Sequence, residues 1–196
     1  MSSGRLAFHE TMRGPFSLGA VDPANGAASG RAARTALTMR AAISIADVAS
    51  FAHDPSHTAT LGGHVTFDPL GEPMPAVSGV VRLFAPRGDD SQRANRKVMY
   101  YGLRLARSAG DLFLAGQKHV DGHSLFSLWG ETTTLYTKLY DGPDDRAAVI
   151  GAGVLRLSPM DFLRTLPTLR PARPATIARF SGFFVSELWN TYARRL

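Results

Sequence analysis

Cysteine is absent from this 196-residue chain, and that absence removes three chemistries together: a disulfide framework, a thiolate metal site and a cysteine nucleophile. It fits a reducing compartment, so a cytoplasmic location is the expectation. Long apolar runs are missing too. No stretch approaches the roughly 18 apolar residues of a membrane-spanning helix. Met1 to Glu10 carries Arg5, His9 and Glu10 where a secretory leader would need an apolar core. There is no Gly-x-Ser-x-Gly elbow for a serine nucleophile. The nearest glycine-rich imitation of a dinucleotide loop, Gly151-Ala152-Gly153, sits in a strand-like segment and lacks the downstream glycine. No cofactor is therefore expected, and glycine there reads as a bend or a close packing contact. Acidic residues are scarce at one end only. Met1 to Asp145 is neutral, whereas from Arg146 onward eight arginines face Asp161 and Glu187 and supply the whole net charge of +6. These arginines are not interleaved with aromatics on a strand face, so nucleic acid is not the expected partner; solvated arginine is the simpler reading.

What is present is enough apolar sequence, 44%, for one core, and the expectation is a single domain over residues 1–196. Strand-like runs recur at short spacing: Leu6 to Phe16, Thr35 to Ile45, His57 to Phe67 with a bulge or bend at Gly62-Gly63, and Ala76 to Phe84. KVMYYGLRLARS and DLFLAGQKHV form the clearest hairpin, turning around Ser108 to Asp111. ETTTLYTKLYDG and RAAVIGAGVLRL follow, separated by the turn Asp141 to Asp145. About eight strands joined by short turns predict a mainly β fold, an antiparallel β-barrel or a strongly curved sandwich. Residues 17–34, rich in Gly, Ala and Ser without apolar periodicity, read as a flexible loop. A short helix is predicted over Ala46 to Asp54 and another over Ser158 to Leu166, the latter with Ser158 as cap and Pro159 at its first position. A C-terminal amphipathic helix is predicted over 175–196, with Ile177, Phe180, Phe184, Leu188 and Tyr192 in one stripe beside Phe183, Val185 and Trp189. Such a stripe either packs on the barrel or lies on a membrane surface.

Candidate chemistry is thin. His53 and His57, and His119 and His123, are spaced four apart, but Pro55 and Gly122 interrupt both as helices, so no metal site is predicted. Two carboxylates are the weak catalytic candidates, Glu10 in the first strand and Glu131 at the head of the threonine run. Either becomes a general base if desolvated in a cavity. The competing reading is a structural ion pair with Arg13 or Arg104. Tyr101, Trp129, Tyr136 and Arg104 are the candidate ligand-binding residues, with Phe113, for an apolar small molecule inside a barrel; the same aromatics equally well fill a packed core.

The segments FHETMRG (8–14), GLRLARSAGDLFLAGQKHV (102–120), WGETTTLYTKLYDGPD (129–144), GAGVLRLSPMDFLRTLPTLR (151–170) and RFSGFFVSELWNTY (179–192) resemble the accessory region of large bacterial cholesterol-oxidase-like proteins of the glucose–methanol–choline flavoprotein group. The resemblance spans most of the chain. It implies an association with sterol or other lipid metabolism; the reading adopted is a non-catalytic accessory domain that binds a lipid or sterol or docks onto a flavoprotein oxidoreductase. The flavin-binding fingerprint of that group has no counterpart here, so no FAD site and no catalytic residue carry over. A small enzyme acting on an apolar substrate, and a membrane-surface or protein-docking adaptor, are the alternatives.

Overall fold

The computed structural model describes residues 4–86, 97–120, 133–157 and 174–192. Eight strands run in chain order around a closed antiparallel barrel: β1 (Leu6–Leu18), β2 (Ala36–Ile45), β3 (Thr58–Thr66), β4 (Met74–Pro86), β5 (Lys97–Leu105), β6 (Leu112–Val120), β7 (Thr134–Tyr140) and β8 (Val149–Leu157). Each strand pairs with its sequence neighbours, and β1 pairs with β8 through Met12↔Leu157 and Leu18↔Gly151 to close the ring. The fold is thus a barrel and not a sandwich, and closure leaves no sheet edge unpaired.

Alternation along the strands decides which side chains enter. Leu37, Met39, Ala41, Ile43 and Ile45 of β2 point inward, as do Leu103 and Leu105 of β5 and Leu112 and Leu114 of β6. Arg13, Arg40, Thr58, Thr60, Arg82, Gln117 and Arg156 are exposed on the outer wall. This apolar-in, polar-out pattern is the inverse of a lipid-facing barrel, which wears its apolar band outside. Among the described residues no helix is long and apolar enough to cross a membrane.

The register of the β5–β6 hairpin, Lys97↔Val120 to Leu105↔Leu112, and the irregular β3–β4 pairing between Thr60 and His64 agree with the hairpin and bulge read from sequence. Residues 17–34 do not. β1 continues to Leu18, and Pro23–Ala33 forms an 11-residue helix, α1. Asp22 caps it by accepting from the Asn25 N–H at 2.9 Å, Pro23 occupies the first turn, and Arg34 ends it in the left-handed conformation. Its buried residues are Gly26, Ala27 and Gly30, and it packs on β1 and β8. A Cβ on Gly30 would lie 2.4 Å from the Phe16 backbone nitrogen, and one on Gly26 2.1 Å from the Ala152 oxygen. The smallness of these residues is therefore what lets the helix approach the wall, not an apolar stripe.

At the opposite end of the barrel lie α2 (Val48–His53), capped by Asp47, and the C-terminal helix α3 (Pro174–Tyr192). Phe180 and Phe183 of α3 join Phe8, Phe51, His57 and Phe84 in one aromatic cluster, with Phe183 4.7 Å from the His57 ring and in edge contact with Phe51 at 5.5 Å. The amphipathic helix thus packs on the barrel. His57 and Phe84 both have positive φ, 41° and 53°, which is unfavourable for residues with bulky side chains. His57 is tied to β4 by the Leu83 N–H donating to its carbonyl at 3.1 Å and by its ring, whose Nδ1 lies 3.1 Å from the Leu83 carbonyl. The helix read over Ser158 to Leu166 lies outside the described residues.

Candidate functional site

Glu10, Tyr101 and Lys118 form a polar group within the mostly apolar interior on the α3 side; Thr137 of β7 also faces inward but donates to the Gly153 carbonyl at 3.0 Å. Glu10 projects inward from β1 in the same phase as Leu6 and Met12, Tyr101 from β5 in phase with Met99 and Leu103, and Lys118 from β6 in phase with Leu112 and Leu114. Their exposures are 8%, 3% and 2%. Lys118 Nζ donates to the Tyr101 hydroxyl oxygen at 3.0 Å, lies 4.8 Å from the centre of that ring and stands 3.9 Å from Glu10 Oε2. The other carboxylate oxygen, Glu10 Oε1, is buried without a hydrogen-bond partner among the described residues. Buried polar atoms are almost always satisfied, so this one requires a reason.

Burial dominates the proton equilibria. It pulls the Lys118 amine below its ordinary value, and the Glu10 charge opposes this only in part. It pushes the Tyr101 phenol well above its ordinary value, reinforced by the negative charge of Glu10 and by the carboxylate holding the phenol proton. The group is therefore a proton-linked chain, amine to phenol to carboxylate, in a medium where charge is expensive.

These shifts fix a pH dependence. The folded protein binds fewer protons at Lys118 than the unfolded chain does, so this contribution rises with pH and is complete above 10.5. At Tyr101 the folded protein keeps a proton that the unfolded chain sheds above 10.0, so stability is lost as pH rises further, by about 1.4 kcal/mol per pH unit. Tyr100, raised to about 12 chiefly by burial, and Tyr140, also raised, act in the same sense. Urea midpoints measured above pH 10.5, where the Lys118 contribution is complete, should fall, and Tyr101→Phe should remove one proton's share of the slope. An unchanged slope in that variant would show that the phenol is not held protonated by the fold.

The other sequence candidates separate. Tyr136 is 41% exposed on the outer face of β7, opposite in phase to Leu135 and Leu139. Arg104 is exposed on the outer face of β5, and its Nε donates to Asp111 at 2.6 Å. Neither faces the interior with Tyr101, because residues an odd number of positions apart on a strand take opposite faces. Phe113 likewise packs outside, against Tyr140. Arg13 is exposed too, so the partner of Glu10 is Lys118 and not Arg13 or Arg104. Trp129 and Glu131 lie outside the described residues. The rings of His53 and His57 engage different backbone carbonyls, of Ala49 and Leu83. Among the described residues no group of three metal-ligating side chains occurs.

Lys118 is the member that sequence reasoning missed. Its signal lay in the parity of Leu112, Leu114, Gly116 and Lys118, which places a cation on the apolar face. Compared with known protein families, curated proteins and solved structures, the chain matches none.

Proposed function

We propose that the barrel binds a small apolar molecule carrying one oxygen function, a hydroxyl or a carbonyl, with that oxygen seated among Glu10, Tyr101 and Lys118. The observation that carries this reading is Glu10 Oε1, buried without a hydrogen-bond partner among the described residues, beside an amine and a phenol in a mostly apolar interior. A few convergent polar groups within an apolar lining are the general make-up of a small-molecule site. The carboxylate oxygen accepts from a ligand hydroxyl, and the amine and phenol present donors to a ligand oxygen. The resemblance to the accessory region of cholesterol-oxidase-like flavoproteins supports the ligand class, sterols and other lipids, and a flavoprotein oxidoreductase as the partner beside which such a carrier works.

The test is calorimetric titration of the full chain with decanol, with a sterol and with a hydrocarbon of decanol's length. The alcohols should bind saturably and more tightly than the hydrocarbon. A hydrogen bond to a charged group contributes about 1.5–3 kcal/mol, so the double variant Glu10→Leu/Lys118→Met should weaken alcohol binding at least about tenfold while barely affecting the hydrocarbon. Absence of saturable binding by any of the three would overturn the reading.

A further inference from the structure

The chain is poor in lysine: Lys97, Lys118 and Lys138 stand against 19 arginines. Arginine is the usual cation for a fixed structural ion pair, because its planar fork meets a carboxylate with two bonds and is less strongly hydrated. The interior cation here is nevertheless a lysine. Its contact with Glu10 at 3.9 Å is too long for a hydrogen bond, and its hydrogen bond among the described residues goes to a phenol oxygen. Among the described residues, an ammonium here has one partner within hydrogen-bond distance for its three donors. The amine is thus not locked into a fixed fork-like pair, and burial, which draws it toward its neutral form, favours the form of a lysine that is a nucleophile.

We infer that Lys118 is a carbonyl-capturing amine, which condenses with the aldehyde or ketone group of an apolar ligand held inside the barrel to form an imine. This rests on the binding reading above and narrows its ligand to carbonyl compounds. The Nζ lone pair attacks the carbonyl carbon, forming the C–N bond and a carbinolamine. The C–O bond then breaks, and the carbonyl oxygen departs as water with the two protons of the amine. No oxidant or reductant is consumed. Tyr101, in contact with Nζ, is placed to relay a proton to the departing oxygen. Glu10 Oε1, without a hydrogen-bond partner among the described residues, accepts from the carbinolamine hydroxyl, and the Glu10 charge compensates the iminium when the imine is protonated. Burial supports the step by drawing the amine below its ordinary value, which favours the deprotonated form, with Glu10 opposing this in part.

The experiment treats the full chain with decanal and sodium cyanoborohydride near neutral pH, which reduces an imine to a stable secondary amine, and locates the adduct by peptide mass. One equivalent should appear on Lys118, at least about tenfold faster than on Lys97 or Lys138, since a held carbonyl reacts at a high effective concentration. Excess decanol should compete with it. The variant Lys118→Met should lose that fast equivalent, and Glu10→Leu/Lys118→Met, which replaces the whole ion pair by apolar side chains, repeats the test should the single variant not fold. If decanol binds but Lys118 gains no preferential adduct, imine formation is wrong and the binding reading stands. If decanol does not bind and no preferential adduct forms, both fall.

Discussion

Lys118→Met is expected to destabilise the fold by about 3–5 kcal/mol, because it leaves the Glu10 carboxylate buried without its cation. Glu10→Leu should lose less, since an amine already drawn toward its neutral form by burial sheds its proton more cheaply than it keeps an unpaired charge. The double variant Glu10→Leu/Lys118→Met should return to within about 1 kcal/mol of the parent or exceed it, as apolar replacements of buried ion pairs often do. Urea unfolding of the four proteins completes a double-mutant cycle. Losses that simply add would show that the two groups do not act as a pair, and the unsatisfied Glu10 oxygen would then need another cause.

Phe16→Ala should be comparably severe, about 3–5 kcal/mol, the range for emptying an aromatic site in a packed core. Phe16 is fully buried at the far end of the barrel from α3, in edge contact with Phe67 at 5.2 Å. Its ring lies on the two glycines of β8: a Cβ at Gly151 would fall 2.8 Å from the ring and one at Gly153 2.6 Å. Outside the wall, Gly30 of α1 rests on the Phe16 backbone. One residue thus fills the interior with its ring and seats a helix with its main chain. Phe16→Leu should lose distinctly less than alanine, and equal losses for the two would mean that the ring's shape is not what the two glycines accommodate.

The strands were legible because their signals are local. The Tyr- and Thr-rich runs, the turn at Ser108 to Asp111 and the glycine pair at 62–63 each mark their own element. The pairing of β1 with β8 rests on no local pattern, which is why the sequence leaves barrel and curved sandwich as alternatives. α1 escaped because apolar periodicity measures burial by large side chains, whereas this helix is buried through Gly26, Ala27 and Gly30. Its cap, Asp22 followed by Pro23, was in plain view. At the site, Glu10 and Tyr101 were chosen by residue type and do face the interior. Arg104 and Tyr136 were chosen the same way, although strand parity already put Arg104 on the opposite face from Tyr101. Lys118 was passed over because lysine ordinarily belongs to the surface, and a cation inside a barrel is visible only when parity is given more weight than composition.

The closure of β1 on β8 also has a kinetic side. Every other strand pair joins neighbours in the chain, and such contacts form early and cheaply; Met12↔Leu157 waits until nearly the whole barrel exists. Refolding is therefore expected in the millisecond-to-second range of all-β topologies, with β1 and β8 standing as open edges until they meet. Open edges invite pairing with other chains. α1 follows β1 directly, leans on it at Gly30 and meets β8 at Gly26, so it bridges the two strands that find each other last. A helix built from the smallest side chains is then a latch on the seam, and its loss would show first as misassembly during folding and only afterwards as reduced stability of the finished barrel.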